Sequence, residues 1–292
     1  MILNFGSINI DHVYRVPHMP APGETLAVTS YERFLGGKGA NQSIAIARAG
    51  GEVRHIGAVG ADGSWALERL DEAGVATDHI ARADAATGHA IITVDDAGEN
   101  QILICGGANQ GLAEDNVRSN LDNGDPASDW VLLQNETNLS GKIVTSARAR
   151  GYRIAYSAAP FVAEQAIPLL GSIDLLVVNA IEARALAGHL DVEANALPVE
   201  QVLVTHGGEG ARLHMGSDVI DQPSFEVAPV DTTGAGDTFL GSFLALYSSG
   251  SSAEDAMRYA AAASAIQVTR PGAADAIPGR SEVSAFLEGQ DM

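Results

Sequence analysis

The sequence predicts an α/β fold in which a doubly wound, mostly parallel sheet carries helices on both faces. Short apolar runs alternate with helical patterns along most of the chain, several of these runs are apolar throughout, and no internal repeat or low-complexity linker interrupts them. Strands that are apolar on both sides suit a parallel sheet that is covered on both faces. Alternation of such strands with helices indicates βαβ units.

The individual elements follow from the local pattern. Strands are predicted where short runs are rich in aliphatic residues, at residues 2–8, 53–60, 130–134, 153–157, 175–179 and 202–207. Helices are predicted where apolar residues recur at helical spacing between and after these runs, at residues 39–49, 65–73, 140–150, 181–188, 238–248, 253–268 and 281–287.

Two stretches break this alternation. Residues 12–35 contain three prolines between short extended pieces, and residues 87–105 show two β-rich runs about a DDAGE turn, which is typical of a hairpin. We interpret both as a small β unit that forms a lid beside the main sheet. The predicted organisation is a single α/β domain over residues 1–292, with the lid built from about 12–35 and 87–108.

Composition and charge exclude several classes of partner. The formal net charge is −20, which argues against nucleic acid and anionic membrane surfaces. No apolar run reaches the ~18 residues of a membrane span, and the N-terminus lacks the basic region of a signal peptide. Cys105 is the only cysteine, so no internal disulfide forms and a cytoplasmic location is expected.

Familiar phosphate and metal motifs are missing from the sequence. It has no GxxxxGK[ST] loop, no HExxH and no CxxC, and no GxGxxG follows the first predicted strand, which makes a dehydrogenase a weak alternative. The chain nevertheless places one of its two lysines, Lys38, in the segment GGKGAN, although Lys and Arg together number 17. A chain that avoids lysine and still has one there indicates a function for Lys38.

The stretch DTTGAGDTFLGSF, residues 231–243, carries the strongest chemical signal. Glycines allow unusual backbone angles, and the first amides of a helix have no partner within it. The amides of Gly234, Ala235 and Gly236 can therefore converge on an anion, which suits a transferring phosphoryl group. Asp237 would then accept the proton of an attacking hydroxyl. Asp is also a good helix N-cap, but the flanking glycines and Asp231 favour the catalytic role.

Several segments together resemble one family. DTTGAGDTFLG is similar to the C-terminal signature of the ribokinase-type (PfkB) carbohydrate kinases, and GGKGANQ, residues 36–42, resembles their N-terminal signature. GSINID, PAPGET and GENQILICGGAN resemble the ribokinase branch, and the likeness runs from about residue 3 to residue 288. It implies a ribokinase-like fold and ATP-dependent phosphorylation of a sugar hydroxyl.

The resemblance implies a sugar-binding wall. Asn9 and Asp11, expected at the end of the first strand, would bracket vicinal hydroxyls, because an amide and a carboxylate two residues apart offer donors and acceptors. For each wall residue a capping or turn role is the alternative. The full set of implied sugar-side residues is Asn9, Asp11, Gly37, Lys38, Asn41, Glu136 and the base Asp237.

The resemblance also implies a nucleotide site. Asn179 and Glu182 would organise Mg²⁺ and the phosphates largely through water, which suits an ion that keeps much of its hydration. The alternative for this pair is a helix start with an ordinary surface Glu. The residues implied along ATP are Asn179, Thr205, Gly207, Gly208, Gly210 and Gly236.

A monovalent cation, K⁺, is the third implied ligand. In the family such an ion lies between the turn before the catalytic Asp and a later loop, which is QVTRPGAADA here. Large monovalent ions are held by carbonyl oxygens. The implied ligands are Asp231, Thr233, Gln267, Arg270, Gly272 and Ala276, and the last stands where ribokinases often have a serine.

The identity of the sugar stays open. D-ribose, phosphorylated to ribose 5-phosphate, is the expected substrate, although Ser157-Ala158-Ala159-Pro160 departs from the Asn-Pro-Ala-Pro of many ribokinases. The alternatives are a nucleoside, a ketohexose or a deoxy sugar, and a non-catalytic sugar or nucleotide sensor. The apolar hairpin further predicts a homodimer that forms through the lid, because exposed strand edges seek partners.

Overall fold

The structure is a computed structural model that describes residues 1–193 and 196–290. The predicted domain of residues 1–292 therefore includes four residues, 194–195 and 291–292, that lie outside the described residues. In the described part of the chain, two sheets and two layers of helices are present.

The larger sheet confirms the predicted fold class. Its strand order is β13-β12-β11-β10-β9-β8-β1-β4-β5, with parallel pairing from β11 to β5 and antiparallel pairing at β12 and β13. Its strands are β1 (Ile2–Phe5), β4 (Val53–Val59), β5 (Ile80–Arg82), β8 (Trp130–Gln134), β9 (Arg153–Ser157), β10 (Leu175–Asn179), β11 (Gln201–Thr205), β12 (Ala211–Met215) and β13 (Asp218–Gln222).

A second sheet of four strands lies beside the first. Its order is β3-β2-β6-β7, and its strands are β2 (Asn9–Val16), β3 (Ser30–Gly36), β6 (Gly88–Asp95) and β7 (Asn100–Cys105). The sequence prediction placed Asn9 and Asp11 at the end of the first strand, and this placement is wrong. The first strand ends at Phe5, and both residues lie in β2 of the smaller sheet. The connection Gly6–Ile8 crosses from one sheet to the other.

The helices divide between the two faces of the larger sheet. They are α1 (Lys38–Arg48), α2 (Ser64–Glu72), α3 (Glu114–Asp122), α4 (Ser140–Arg150), α5 (Ala163–Ala166), α6 (Ala180–Leu190), α7 (Ala235–Tyr247), α8 (Ala253–Gln267) and α9 (Arg280–Gln290). One apolar core contains buried side chains of α1, α2, α7, α8 and α9, and the other contains those of α3, α4, α5 and α6.

The strands contribute to both cores in alternation, since successive side chains of a strand point to opposite faces. Ile2 belongs to one core and Leu3 to the other, and Trp130 and Val131 divide in the same way. This explains why the central strands read as continuous apolar runs. No helix within the described residues is long and apolar enough to cross a membrane.

Candidate active site

Polar groups meet at the carboxyl ends of the parallel strands, where open α/β sheets bind ligands. β8 ends at Gln134, β10 at Asn179 and β11 at Thr205. The N-terminal turn of α1 lies at the same edge, because the Gly39 amide donates to Ser7 Oγ at 3.2 Å. The sheet edge and the beginnings of α1 and α7 therefore enclose the candidate site.

Asp237 lies in the first turn of α7 and does not cap the helix. Gly234 is the N-cap residue, with φ +77°, and no side chain caps this helix. The Asp237 carboxylate is buried and accepts two hydrogen bonds from α1: Asn41 Nδ2 donates to Oδ2 at 3.1 Å, and Gln42 Nε2 donates to Oδ1 at 2.8 Å. The carboxylate is thus aimed across the gap between α7 and α1.

The surroundings of Asp237 raise its pKa above the usual value for an aspartate. Burial is the main cause, and the negative charge of Glu136 adds to it. The positive charge of Lys38 and the hydrogen bonds from Gln42 and Asn41 act in the opposite direction. A carboxylate with a raised pKa is a better proton acceptor near neutral pH.

The start of α7 presents backbone amides, as the sequence predicted. The Ala235 amide donates to the Thr232 carbonyl at 3.2 Å. Within the described chain, the amides of Gly234 and Gly236 donate to no backbone carbonyl. The helix dipole also favours negative charge at this end. The left-handed φ of Gly234, which most other residues rarely adopt, turns the chain into the helix here.

The predicted sugar-side residues converge from three segments. Asn9 Oδ1 accepts from Asn109 Nδ2 at 2.8 Å, which fixes the orientation of the Asn9 amide. Asp11 packs so closely against Gly36 that a Cβ at Gly36 would lie 2.2 Å from Asp11 Oδ2. Glu136 Oε2 accepts from the Lys38 amide at 2.9 Å and from the Ser7 hydroxyl. Gly37, with φ +89°, is the N-cap of α1.

The negative charge of Glu136 affects the pKa of two other carboxyl groups. Burial raises the pKa of Asp11 to about 6, and the negative charge of Glu136 contributes to the shift. Glu136 also raises the pKa of Asp237. The three acids therefore belong to one electrostatic environment, although they come from β2, from the loop after β8 and from α7.

Two neighbouring cavities contain most of the predicted nucleotide residues. The larger has a volume of about 850 Å³, and its walls include the predicted Thr205, Gly207, Gly208, Gly210, Ala235 and Gly236 together with apolar side chains of α7 and α8. The smaller, of about 190 Å³, is lined among others by Lys38, Asn179, Glu182, Gly234 and Asp237. Thr205, Thr232, Ala235 and Gly236 line both, so the cavities adjoin at the start of α7.

Lys38, predicted on the sugar side, also lies beside residues predicted to bind the nucleotide. It lines the small cavity with Asn179, Glu182 and Gly236, and its charge lowers the pKa of Asp237. Its backbone amide meanwhile binds Glu136. The residue therefore stands between the sugar side and the nucleotide side.

Asn179 and Glu182 form a capping box at the start of α6. Asn179 Oδ1 accepts from the amides of Ile181 and Glu182 at 2.9 Å, and Glu182 Oε2 accepts from the Asn179 amide at 2.8 Å. Both residues also line the small cavity. No group of three or more His, Cys, Asp and Glu within residues 1–193 and 196–290 is arranged to hold a metal ion. The pair offers hard oxygen atoms, which fits a hydrated Mg²⁺ held mainly by phosphates and water.

Asp231 joins the two segments predicted to hold a monovalent cation. Its Oδ1 accepts from the Thr233 amide and its Oδ2 from the Gly272 amide, both at 2.9 Å. The Gln267 side chain donates to the Thr233 carbonyl, while its Oε1 is buried without a hydrogen-bond partner. Arg270 pairs with Glu282. Ala276 is buried and offers no side-chain ligand. The segments thus meet, and an orphaned buried oxygen lies at the junction.

Sequence reasoning missed three residues of the site, Ser7, Gln42 and Asn109. Each binds a predicted residue: Ser7 binds Glu136, Gln42 binds Asp237 and Asn109 binds Asn9. All three lie in the segments that resemble the family, so the signal was present. Their role depends on contacts between residues 100 or more positions apart, which a motif does not show.

The comparisons with known proteins agree with this geometry. The family model described as pfkB family carbohydrate kinase matches residues 1–280. A ribokinase of Haemophilus influenzae is 36% identical over 300 residues, covering 97% of each chain, and a deoxyribokinase of Salmonella typhi is 28% identical over 297 residues with the same coverage. A solved structure of Arabidopsis thaliana ribokinase complexed with ribose and ATP superposes with a TM-score of 0.87 and 30% identity, covering 98% of each chain. The chain therefore belongs to the pfkB family of carbohydrate kinases.

Proposed function

We propose that the protein transfers the γ-phosphoryl group of ATP to the 5-hydroxyl of D-ribose. The observation that carries this proposal is the buried Asp237 carboxylate, which lies one turn inside the helix whose first amides face two adjoining cavities. The ribokinases of Haemophilus influenzae and Arabidopsis thaliana, similar along nearly the whole chain, support ribose as the acceptor.

Asp237 acts as the general base. It takes the proton of the attacking hydroxyl as the oxygen of that hydroxyl bonds to the γ-phosphorus and ADP leaves. The amides of Gly234, Ala235 and Gly236 hold the negative charge of the phosphoryl group, and the Lys38 ammonium adds a positive charge in the small cavity. Because backbone groups and one lysine provide this stabilisation, the anion site suits an otherwise acidic protein.

The sugar lies between β2 and the start of α1. Asn9 and Asp11 bind its hydroxyl groups from the smaller sheet, while Gly37, Asn41 and Glu136 form the opposite wall. The Asn41 Oδ1 atom is buried without a hydrogen-bond partner, so it is available for a sugar hydroxyl. The smaller sheet acts as a lid that excludes water from the reaction, because a wet site would hydrolyse ATP.

ATP occupies the larger cavity, where the glycine-bearing loop from Thr205 to Gly210 lies along it. The apolar side chains of Phe225, Phe239 and Ala261 line this cavity and suit the adenine ring. Asn179 and Glu182 hold Mg²⁺ through water at the phosphate end. When bound, the ion neutralises charge on the phosphates.

K⁺ binds where Asp231 joins the turn before α7 to the loop after α8. The ligands are the Asp231 carboxylate and carbonyl oxygens of Thr233, Gln267, Arg270, Gly272 and Ala276. When bound, K⁺ would stabilise this turn and so support the working geometry of the Gly234–Gly236 amides. The orphaned Gln267 Oε1 supports a cation at this junction.

The protein works in the cytoplasm, as a homodimer that forms through the smaller sheet. The support for the dimer is an exposed apolar strand edge: Ile102, Leu103 and Ile104 of β7 are 50%, 62% and 74% exposed. β7 is the last strand of its sheet. Unpaired edges of this kind bind further strands.

An ADP-release assay over ribose, deoxyribose, fructose and nucleosides tests the substrate. Ribose is expected to give the highest kcat/KM, and Asp237→Ala is expected to lower kcat by about a hundredfold or more while ADP affinity, measured by calorimetry, stays nearly unchanged. Turnover in Asp237→Ala above about a tenth of wild type contradicts the role of the base. A higher kcat/KM for another acceptor contradicts ribose as the substrate, but it does not contradict the role of Asp237 as the base.

A deoxy sugar is the second candidate. The observation that favours it is Ser157, which lines the small cavity with Asp237 and stands where many ribokinases have a larger asparagine. The deoxyribokinase of Salmonella typhi is a relative along the same length. In the same assay, a kcat/KM for deoxyribose above that for ribose supports this candidate.

A further inference from the structure

A network of hydrogen-bonded, buried polar side chains begins at Asp237, and none of its other members lines either of the two cavities. Its members are Asn4 of β1, Gln42 and Ser43 of α1, His55 of β4 and Gln134 of β8, and each is completely buried. Buried polar groups are normally hydrogen-bonded, and each of these five side chains makes at least one hydrogen bond, while Gln134 Oε1 has no partner. The function assigned to Asp237 uses none of these five side chains, so their purpose lies elsewhere.

The hydrogen bonds of this network are short and form an unbroken series. Gln42 Nε2 donates to Asp237 Oδ1 at 2.8 Å, and Gln42 Oε1 accepts from Gln134 Nε2 at 2.7 Å. Gln134 Nε2 also donates to Asn4 Oδ1 at 2.9 Å. Asn4 Nδ2 in turn donates to Ser43 Oγ at 2.8 Å, and Ser43 Oγ lies 2.9 Å from His55 Nδ1. This network of hydrogen bonds therefore connects the Asp237 carboxylate of α7 to His55 of β4.

The direction of every link follows from His55. Burial lowers the pKa of His55 to about 4, so the ring is neutral and one nitrogen carries hydrogen. Nε2 lies 3.1 Å from the Gly6 carbonyl, which only accepts, so Nε2 carries the hydrogen and Nδ1 accepts from the Ser43 hydroxyl. Ser43 Oγ must then accept from Asn4, which turns the Asn4 oxygen toward Gln134.

Gln42 can consequently present only its amino group to Asp237. If Gln42 turned over, its oxygen would face the Asp237 carboxylate and its amino group would face the amino group of Gln134. Asn41 is different, because its Oδ1 has no partner and its amide is held on one side only. One carboxylate oxygen of Asp237 thus has a fixed donor and the other has an adjustable one.

We propose that Gln42 is a positioning residue for phosphoryl transfer, which holds Asp237 Oδ1 and reserves Oδ2 for the proton of the attacking hydroxyl. The step is balanced: the hydroxyl O–H bond breaks, the proton binds Oδ2, the oxygen bonds to the γ-phosphorus, and the bond to the β-phosphate oxygen breaks to release ADP. The inference rests on the proposed role of Asp237 as the base.

The packing of α7 on α1 supports this role. A Cβ at Gly241, one turn after Asp237, would lie 2.6 Å from the Gln42 carbonyl oxygen and 2.6 Å from Ala45 Cβ. The two helices can approach this closely only because position 241 is glycine. The separation that brings Gln42 to Asp237 is therefore set by backbone contact.

The variant Gln42→Glu tests the link through its pH dependence. At low pH the new carboxyl group keeps its proton, donates to Asp237 Oδ1 and accepts from Gln134, as the amide does. At higher pH it ionises beside Asp237, and like charges repel. The ratio of variant to wild-type kcat is therefore expected to fall as pH rises. Lys38 and Glu136, the charged groups that act on Asp237, are unchanged in both proteins.

The variant Gln42→Met tests the loss of the donor. It is expected to lower kcat roughly ten- to a hundredfold, since a hydrogen bond to a charged group is lost, with little change in the KM for ATP. Asn120→Leu, which removes a buried amide of α3 bonded only to Asn116, is the matched control and is expected to leave kcat unchanged. If the Gln42 variants do not fold, Gln134→Met removes the donor to Gln42 Oε1 and is expected to lower kcat in the same direction.

A readout without substrate separates this inference from the proposed function. The pKa of Asp237 is measured by carboxyl ¹³C NMR on the ligand-free protein, with the signal assigned by its loss in Asp237→Asn. Gln42→Met is expected to raise this pKa above that of wild type. A raised pKa in a protein that phosphorylates no sugar supports the positioning contact and overturns the proposed function. An unchanged pKa, or a constant kcat ratio for Gln42→Glu, overturns the inference even if wild type phosphorylates ribose.

Discussion

At the scale of single residues, the site contains carboxyl groups in contrasting environments. Asp237 is buried and bound by two amide donors, whereas Asp11 is partly buried beside another acid, Glu136. Burial raises the pKa of both residues. For a base this is useful, but for a residue that binds sugar hydroxyls it makes binding depend on pH, because the ionised form is the stronger acceptor.

We expect the KM for ribose to rise as the pH falls below about 6, the pKa of Asp11. Below that value Asp11 is increasingly protonated, so the KM is expected to rise by up to about tenfold per pH unit. Glu136→Gln removes one cause of the raised pKa and should move the break to lower pH. The measurement is the KM for ribose between pH 5 and 8 at saturating ATP. A KM that does not vary over this range in wild type would show that ionised Asp11 does not bind the sugar.

The sequence singled out candidate residues of the site, but not the contacts between them. Asp237 and the glycines before it could be recognised because one short stretch contains them. Gln42 and Gln134 could not, since their meeting depends on how α1 packs against β8 and α7. Lys38 was predicted on the sugar side, and it also lines the small cavity with the predicted nucleotide residue Asn179.

At the scale of elements, the contact between α1 and α7 determines the site. α1 brings Asn41 and Gln42, α7 brings Asp237, and Gly241 permits their close approach. A side chain at 241 must push the helices apart, because the atoms it would meet include the backbone oxygen of Gln42.

Gly241→Ala is expected to destabilise the protein by about 1–3 kcal/mol through overpacking and to lower kcat, because Gln42 moves away from Asp237. The matched control is Gly188→Ala on α6, where a Cβ meets no atom within 4 Å. That change should instead stabilise the protein by about 0.5–1 kcal/mol, since a helical glycine is replaced. Chemical denaturation and steady-state kinetics measure both effects. Equal stability changes in the two variants would refute the packing argument.

The junction between the turn before α7 and the loop after α8 carries a second prediction. Turnover is expected to rise when KCl replaces a bulky organic salt at fixed ionic strength, because K⁺ stabilises the turn that presents the amides of α7. In Asp231→Asn the response should weaken, since the charged ligand is lost. In Gln267→Ala more K⁺ should be needed, because the variant lacks the buried Oε1 that supports a cation at this junction. Turnover that ignores K⁺ in all three proteins would remove the cation site.

The elements were predictable where burial is strong. The six predicted strands are present, and β1 is shorter than predicted because the chain switches sheets at Gly6, which an apolar pattern does not reveal. β12 and β13 were missed because both are partly exposed and carry Arg212, His214 and Asp221. A two-residue Gly-Ser turn at 216–217 was the available signal for this hairpin.

At the scale of the whole molecule, net charge and exposed apolar surface have opposite effects on the association of copies of the protein. The formal charge of −20 opposes association, since copies of the chain repel one another. β7 nevertheless leaves Ile102, Leu103 and Ile104 exposed on both faces of an edge strand. Such an edge is a liability unless something covers it. A second copy is the cover proposed above.

Ile104→Asp is expected to convert the proposed dimer into a monomer, because it places a charge on the 74% exposed side chain at the apolar edge. Val219→Asp, at a 50% exposed position on the edge strand β13 of the larger sheet, is the control and should not change the mass. Light scattering at micromolar concentration measures both. A wild-type protein that is already a monomer would contradict the interface.

The close approach of α1 to the strand connection has a consequence for attempts to change which sugar is accepted. A Cβ at Gly39 would lie 2.4 Å from Gly6 Cα and 2.4 Å from the Ser7 amide, so neither glycine tolerates replacement without displacing Lys38, Asn41 and Gln42 together. A mutant library that randomises the glycines of GGKGANQ would consist mainly of damaged proteins. Diversity belongs instead at Ser157 and Ala159, whose side chains line the small cavity beside Asp237.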